Sequence, residues 1–114
     1  MSPITTHVLD TARGRPAASV AIHLERRSPE GGWVELGRGE TDNDGRLRTL
    51  LGPDEALLAG FYRITFDTGA YFAMLGIEGF YPEASVVFEV RDPAQHYHVP
   101  LLLSPYGYST YRGS

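Results

Sequence analysis

Cysteine is absent from the 114 residues. That removes disulfides, thiolate metal sites and thiol nucleophiles together. Positive charge is in deficit: 10 basic residues stand against 14 acidic ones, mixed along the chain, for a net charge of −4. Without a basic stripe, nucleic acid is not an expected partner. No apolar run approaches the roughly 20 residues that span a bilayer, so a membrane is not expected as a partner either. The opening MSPITTHVLD lacks the basic and apolar regions of a signal peptide, and the expected location is the cytoplasm. A serine elbow is missing, because Gly107-Tyr108-Ser109-Thr110-Tyr111 has no second glycine and reads as strand. Gly37-Arg38-Gly39 lacks the third glycine of a dinucleotide fingerprint, and there is no P-loop. The carboxylates are scattered, with no pair suited to glycoside chemistry.

What is present is a series of short strand signals divided by Gly, Pro, Asn and Asp. Strands are expected at Ile4–Asp10, Ser19–Arg26, Trp33–Thr41, Arg46–Thr49, Gly60–Asp67, Ser85–Arg91, His96–Leu103 and Gly107–Gly113, with one short helix at Tyr71–Leu75. In Ser19–Arg26, Val20, Ile22 and Leu24 point one way and Ala21, His23 and Glu25 the other. Tyr62, Ile64 and Phe66 alternate likewise, as do Tyr97, Val99, Leu101 and Leu103. The pattern indicates one domain over residues 1–114, an all-β antiparallel sandwich whose interior comes from one face of each strand.

The same parity sorts the ionisable residues. With Val99, Leu101 and Leu103 inside, His96, His98 and Leu102 face outward. With Val8 inside, His7 faces outward with Thr5 and Leu9. Ser109, Tyr111 and Gly113 share a face, so His7, His98 and Tyr111 are candidates for one outer surface. A lone strand histidine is more often solvated or packed than catalytic, and His23, between Ala21 and Glu25, fits that description. His96 and His98 have the spacing of a chelating pair, but no acidic ligand stands immediately beside them, and no metal is expected. Arg46 and Arg48 read as two solvated charges. The remaining chemistry is a neutral imidazole that takes a proton from water and a guanidinium fork for a carboxylate or a carbonyl-rich ring. The end of the sequence, Tyr111-Arg112-Gly113-Ser114, follows a stretch dense in histidine and tyrosine and reads as docked rather than loose.

Three groups of residues carry a resemblance. They are Ile4-Thr5-Thr6-His7-Val8-Leu9-Asp10 with Gly14-Arg15-Pro16-Ala17; Thr41-Asp42-Asn43-Asp44-Gly45-Arg46; and the run from His96 to Tyr111-Arg112-Gly113-Ser114. Together they make the chain similar, over nearly its whole length, to the transthyretin-like 5-hydroxyisourate hydrolases. The resemblance implies a sandwich of two four-stranded sheets with one short helix. It implies assembly as a homotetramer, a dimer of dimers, with sites between dimers and no cofactor. It implies hydrolysis of 5-hydroxyisourate to 2-oxo-4-hydroxy-4-carboxy-5-ureidoimidazoline. His7, Arg46 and His98 would be catalytic, and His7, Arg46, Tyr111 and Ser114 would bind substrate. Arg46 is thereby selected over Arg48. The terminal tetrapeptide separates these enzymes from the hormone-carrying transthyretins of the same fold. A carrier or a plain adhesion sandwich is the rival expectation.

Overall fold

The computed structural model describes residues 3–114. Nine strands and one helix follow in chain order: β1 (Ile4–Asp10), β2 (Arg15–Pro16), β3 (Ala21–Arg27), β4 (Trp33–Glu40), β5 (Arg46–Leu47), β6 (Gly60–Phe66), α1 (Thr68–Met74), β7 (Ala84–Val90), β8 (Tyr97–Ser104) and β9 (Gly107–Thr110). One sheet has the order β4-β3-β6-β7. The other runs β2-β1-β8-β9, and the short β5 also pairs with β1. β2 takes Leu9 and Asp10 of β1, and β5 takes Thr6 and His7. Two two-residue strands thus divide the fourth position of a four-wide sheet.

Alternation places the core where the sequence puts it. Ile22 and Leu24 from β3, Tyr62, Ile64 and Phe66 from β6, and Val99, Leu101 and Leu103 from β8 are buried between the sheets with Ile4 and Val8. The antiparallel expectation holds for every strand pair except one. β1 and β8 run parallel, in register from Ile4↔Tyr97 to Asp10↔Leu103. Side-chain alternation has the same period in either direction, so it carries no information about strand sense.

The helix begins at Thr68, three residues before the expected Tyr71. Thr68 and Gly69 are weak helix formers and hide the first turn. The Asp67 carboxylate accepts the Ala70 N–H at 3.2 Å and starts the helix there. One buried contact ties α1 to the opposite sheet. The Tyr71 hydroxyl donates to the Asp10 carboxylate at 2.7 Å, with both residues almost fully buried. Burial, then the bond to Asp10, raises the phenol's pKa and keeps it a neutral donor.

β7 and β9 each end a sheet, and residues of both line one depression. There Val86 and Phe88 are only partly covered, although alternation predicts them buried. β9 stops at Thr110 rather than Gly113. The chain then returns as a single bridge, with the Gly113 N–H donating to the His98 carbonyl at 2.9 Å. Arg112 stacks on Tyr97 at 4.6 Å and donates to Gln95 at 2.9 Å. The terminal segment is docked. No described helix is long and apolar enough to cross a membrane.

Candidate active site

The outer face of the β1–β8 sheet collects the chemistry. Pairing in β1 and β8 sets Thr5 beside His98 and Leu9 beside Leu102. β5 sets Arg46 directly beside His7. A built turn fixes that last placement. The Asp42 carboxylate accepts the backbone N–H of both Asp44 (2.9 Å) and Arg46 (3.0 Å). The bond from Arg46, before other causes, holds the Asp42 pKa below the ordinary carboxylate range. Gly45 sits at φ +75°, and a Cβ there would strike the Val8 carbonyl. Only glycine meets both conditions. The Val8 N–H then donates to the Gly45 carbonyl at 2.7 Å, which locks the turn onto β1.

A cavity of about 150 Å³ opens on this face, lined by Thr5, Thr6, Arg46, Arg48, His96, His98 and Ser114. Among the described residues, no carboxylate lies within ion-pair distance of the Arg46 guanidinium, whereas Arg48 has Asp42 at 3.6 Å. Arg46 is therefore the cation open to an anionic or oxygen-rich ligand. The Thr5 hydroxyl lies 2.8 Å from His98 Nδ1 and 3.2 Å from His96 Nε2. The His98 pKa is lowered, first by burial and then by the charges of Arg46, His7 and His96. His7 Nε2 is 2.8 Å from the Asp44 carbonyl. A carbonyl only accepts, so Nε2 carries a proton and Nδ1 is the ring nitrogen not engaged by that bond.

His98, Arg46 and Ser114 thus share one cavity. His7 stands at its side through its pairing with Arg46 and is close enough to act on the charge of His98. Tyr111 is placed elsewhere. It is 57% exposed and lines a depression of about 260 Å³ with Val86, Phe88, Tyr97, Val99 and Arg112 along the open edge, where His98 is the shared residue. That depression is larger but mostly apolar, and the Thr110 hydroxyl and Arg112 guanidinium that line it are already bonded to the Pro100 carbonyl and to Gln95. Strand parity and spacing do not single out Thr5 or Thr6, which line the polar cavity, and His96, by spacing only half of a chelating pair, is bonded to Thr5. Among the described residues, no cluster of three or more His, Cys, Asp or Glu is placed to hold a metal ion.

Fold and site together define a transthyretin-type sandwich that carries a histidine–arginine cavity on one outer sheet face. The chain belongs to the HIUase/transthyretin family, whose model matches residues 4–113. The 5-hydroxyisourate hydrolase of Mus musculus is 48% identical over 114 residues, covering 99% of this chain and 96% of that one. The structure of Klebsiella pneumoniae 5-hydroxyisourate hydrolase superposes with a TM-score of 0.86 at 38% identity, covering all of both chains. Sea bream transthyretin in complex with thyroxine superposes at 0.91 with 37% identity, covering 97% of this chain and 94% of that one. The fold is common to a hydrolase and to a thyroxine-bound transthyretin, so the difference between them rests on the site.

Proposed function

We propose that this chain hydrolyses 5-hydroxyisourate in urate degradation, giving 2-oxo-4-hydroxy-4-carboxy-5-ureidoimidazoline. The carrying observation is one cavity that joins His98, Ser114 and an Arg46 without a carboxylate partner among the described residues, in a chain of this family. His98 acts as the base. It is kept neutral by burial and by Arg46, and so is ready to accept a proton near neutral pH. It takes a proton from water as the water oxygen bonds to the ring carbonyl carbon beside N1. The C–N bond then breaks, and the proton passes to the departing nitrogen. Arg46 holds the ring oxygens and offsets the negative charge that builds on the attacked carbonyl. His7, tethered to the Asp44 carbonyl, orients water or substrate through Nδ1. Ser114 hydrogen-bonds the substrate, and Tyr111 walls the site in the assembled protein.

The likeness to a thyroxine-bound structure favours a carrier as the second reading. The lining counts against it, because an apolar ligand would leave these donors unpaired. The proposal includes a homotetramer, a dimer of dimers. A single-chain cavity of about 150 Å³ is open and small, whereas ligand sites usually measure roughly 300–1,000 Å³. Apposing two such faces across a symmetry axis deepens the site and covers the half-buried Leu9 and Leu102. Size exclusion at falling concentration, with activity in parallel, tests this part; full activity in a clean monomer overturns it. For the chemistry, replacing His7, Arg46 or His98 singly should lower turnover by roughly 10²-fold or more. A variant lacking both histidines with unchanged turnover would end the proposal.

A further inference from the structure

The Thr5 hydroxyl has one proton and two imidazole nitrogens within reach, His98 Nδ1 at 2.8 Å and His96 Nε2 at 3.2 Å. Thr5 itself is 4% exposed, so water does not replace either partner freely. Only two arrangements of neutral rings satisfy all three groups. In one, His96 donates to Thr5 and Thr5 donates to His98 Nδ1, which leaves a proton on His98 Nε2. In the other, His98 Nδ1–H donates to Thr5 and Thr5 donates to His96, which leaves the His98 Nε2 lone pair free.

We infer that Thr5 is a positioning residue that sets His98 as the Nδ1–H tautomer, so that its basic nitrogen is Nε2, with His96 as the terminal acceptor of the chain. The charges around the ring choose this arrangement. Arg46 and Arg48 line the same cavity as His98, and a guanidinium faces a lone pair more favourably than an N–H. The hydrogen-bonded partner of one ring nitrogen commonly decides the state of the other. The inference also explains why the β1 residue of this rung carries a hydroxyl although it is nearly out of solvent.

This inference rests on His98 being the base, but it can be tested without turnover. Nitrogen-15 NMR of the histidine-labelled protein, with assignments from single-histidine variants, reads the tautomer of His98 directly. The wild type should show His98 protonated on Nδ1. Thr5→Val keeps the shape and removes the hydroxyl. It should lose that preference and lower kcat roughly 10- to 100-fold, as for a misdirected base, with KM moved much less. Thr5→Ser should recover the tautomer and most of the lost kcat. A wild-type His98 protonated on Nε2 overturns the inference, as does a Thr5→Val protein with unchanged tautomer and kcat. If Thr5→Val fails to fold, the wild-type spectrum and Thr5→Ser still decide. A correct tautomer in a protein without hydrolase activity would uphold Thr5's part and refute the functional reading instead.

Discussion

Gly113→Ala adds one methyl group, and the structure says where it goes. An added Cβ would lie 2.6 Å from His98 Cδ2, 3.3 Å from its Cγ and 3.2 Å from Pro100 Cγ. Carbon atoms in good contact sit about 3.5–4.0 Å apart, so something must yield by about 1 Å. Gly113 is not among the residues of positive φ, so backbone strain is not the issue. The obstacle is the imidazole. On its far side the ring is held by Thr5 at 2.8 Å, and behind it the chain is held by the Gly113 N–H to His98 carbonyl bond at 2.9 Å. Moving the ring disturbs the first bond, and moving the terminal segment breaks the second. A misplacement near 1 Å at a catalytic group costs about 10²-fold in rate. The lost backbone bond costs only about 0.5–1.5 kcal/mol, which moves the melting temperature by several degrees at most in a domain of this size. Turnover followed on fresh 5-hydroxyisourate, with the spontaneous rate subtracted, should therefore fall roughly 10²-fold while the protein still melts cooperatively. A folded Gly113→Ala protein with wild-type kcat would refute the placement of His98 at the chemistry.

The other expectations are independent of that one. Burial, then Arg46, His7 and His96, lowers the His98 pKa below its ordinary 6.5, with Thr5, Thr6, Arg48 and Ser114 the other residues lining the cavity. The acid limb of kcat/KM should therefore inflect below 6.5; an inflection above it contradicts His98 as the base. The same shift makes stability fall as the pH is lowered through 6.5. Below 6.5 the unfolded chain takes up a proton that folded His98 refuses, until its own lower pKa is passed. His98→Gln should flatten that slope in melts across pH. Tyr71→Phe leaves one oxygen of the buried Asp10 carboxylate without its donor and should destabilise by about 1–3 kcal/mol in urea titration, with the site chemistry kept. Deleting Tyr111–Ser114 removes a bridge and a cation–aromatic contact but no regular strand. Far-ultraviolet dichroism should be preserved and activity lost.

Much of the site was legible because its residues sit on regular strands. Period two puts His7 and His98 outside once Val8 and Leu101 are core, and Val8 and Leu101 are fully buried. The Asp42-Asn43-Asp44-Gly45 turn announced a tight return ahead of Arg46, though its pairing with His7 needed the fold. The choice of Arg46 over Arg48 came from the family resemblance and not from spacing. Thr5 stayed hidden because its partner His98 lies 93 residues away, and parallel pairing leaves no local mark. Strand parity continued past Thr110 puts Tyr111 on one face with Ser109, and its substrate contact comes from the family resemblance. The strand ends at Thr110, and the ring lies along the β7–β9 edge with Arg112. The early start of α1 was masked by Thr68 and Gly69, whose place is set by contacts with Tyr81 and Pro82 rather than by propensity.

The central claim is that this chain opens the ring of 5-hydroxyisourate. The most direct measurement is ultraviolet monitoring of freshly generated 5-hydroxyisourate with and without the protein. The expected result is loss of the substrate absorbance at a rate proportional to protein concentration and well above spontaneous decay. A decay rate that matches the protein-free control at every concentration would contradict the account.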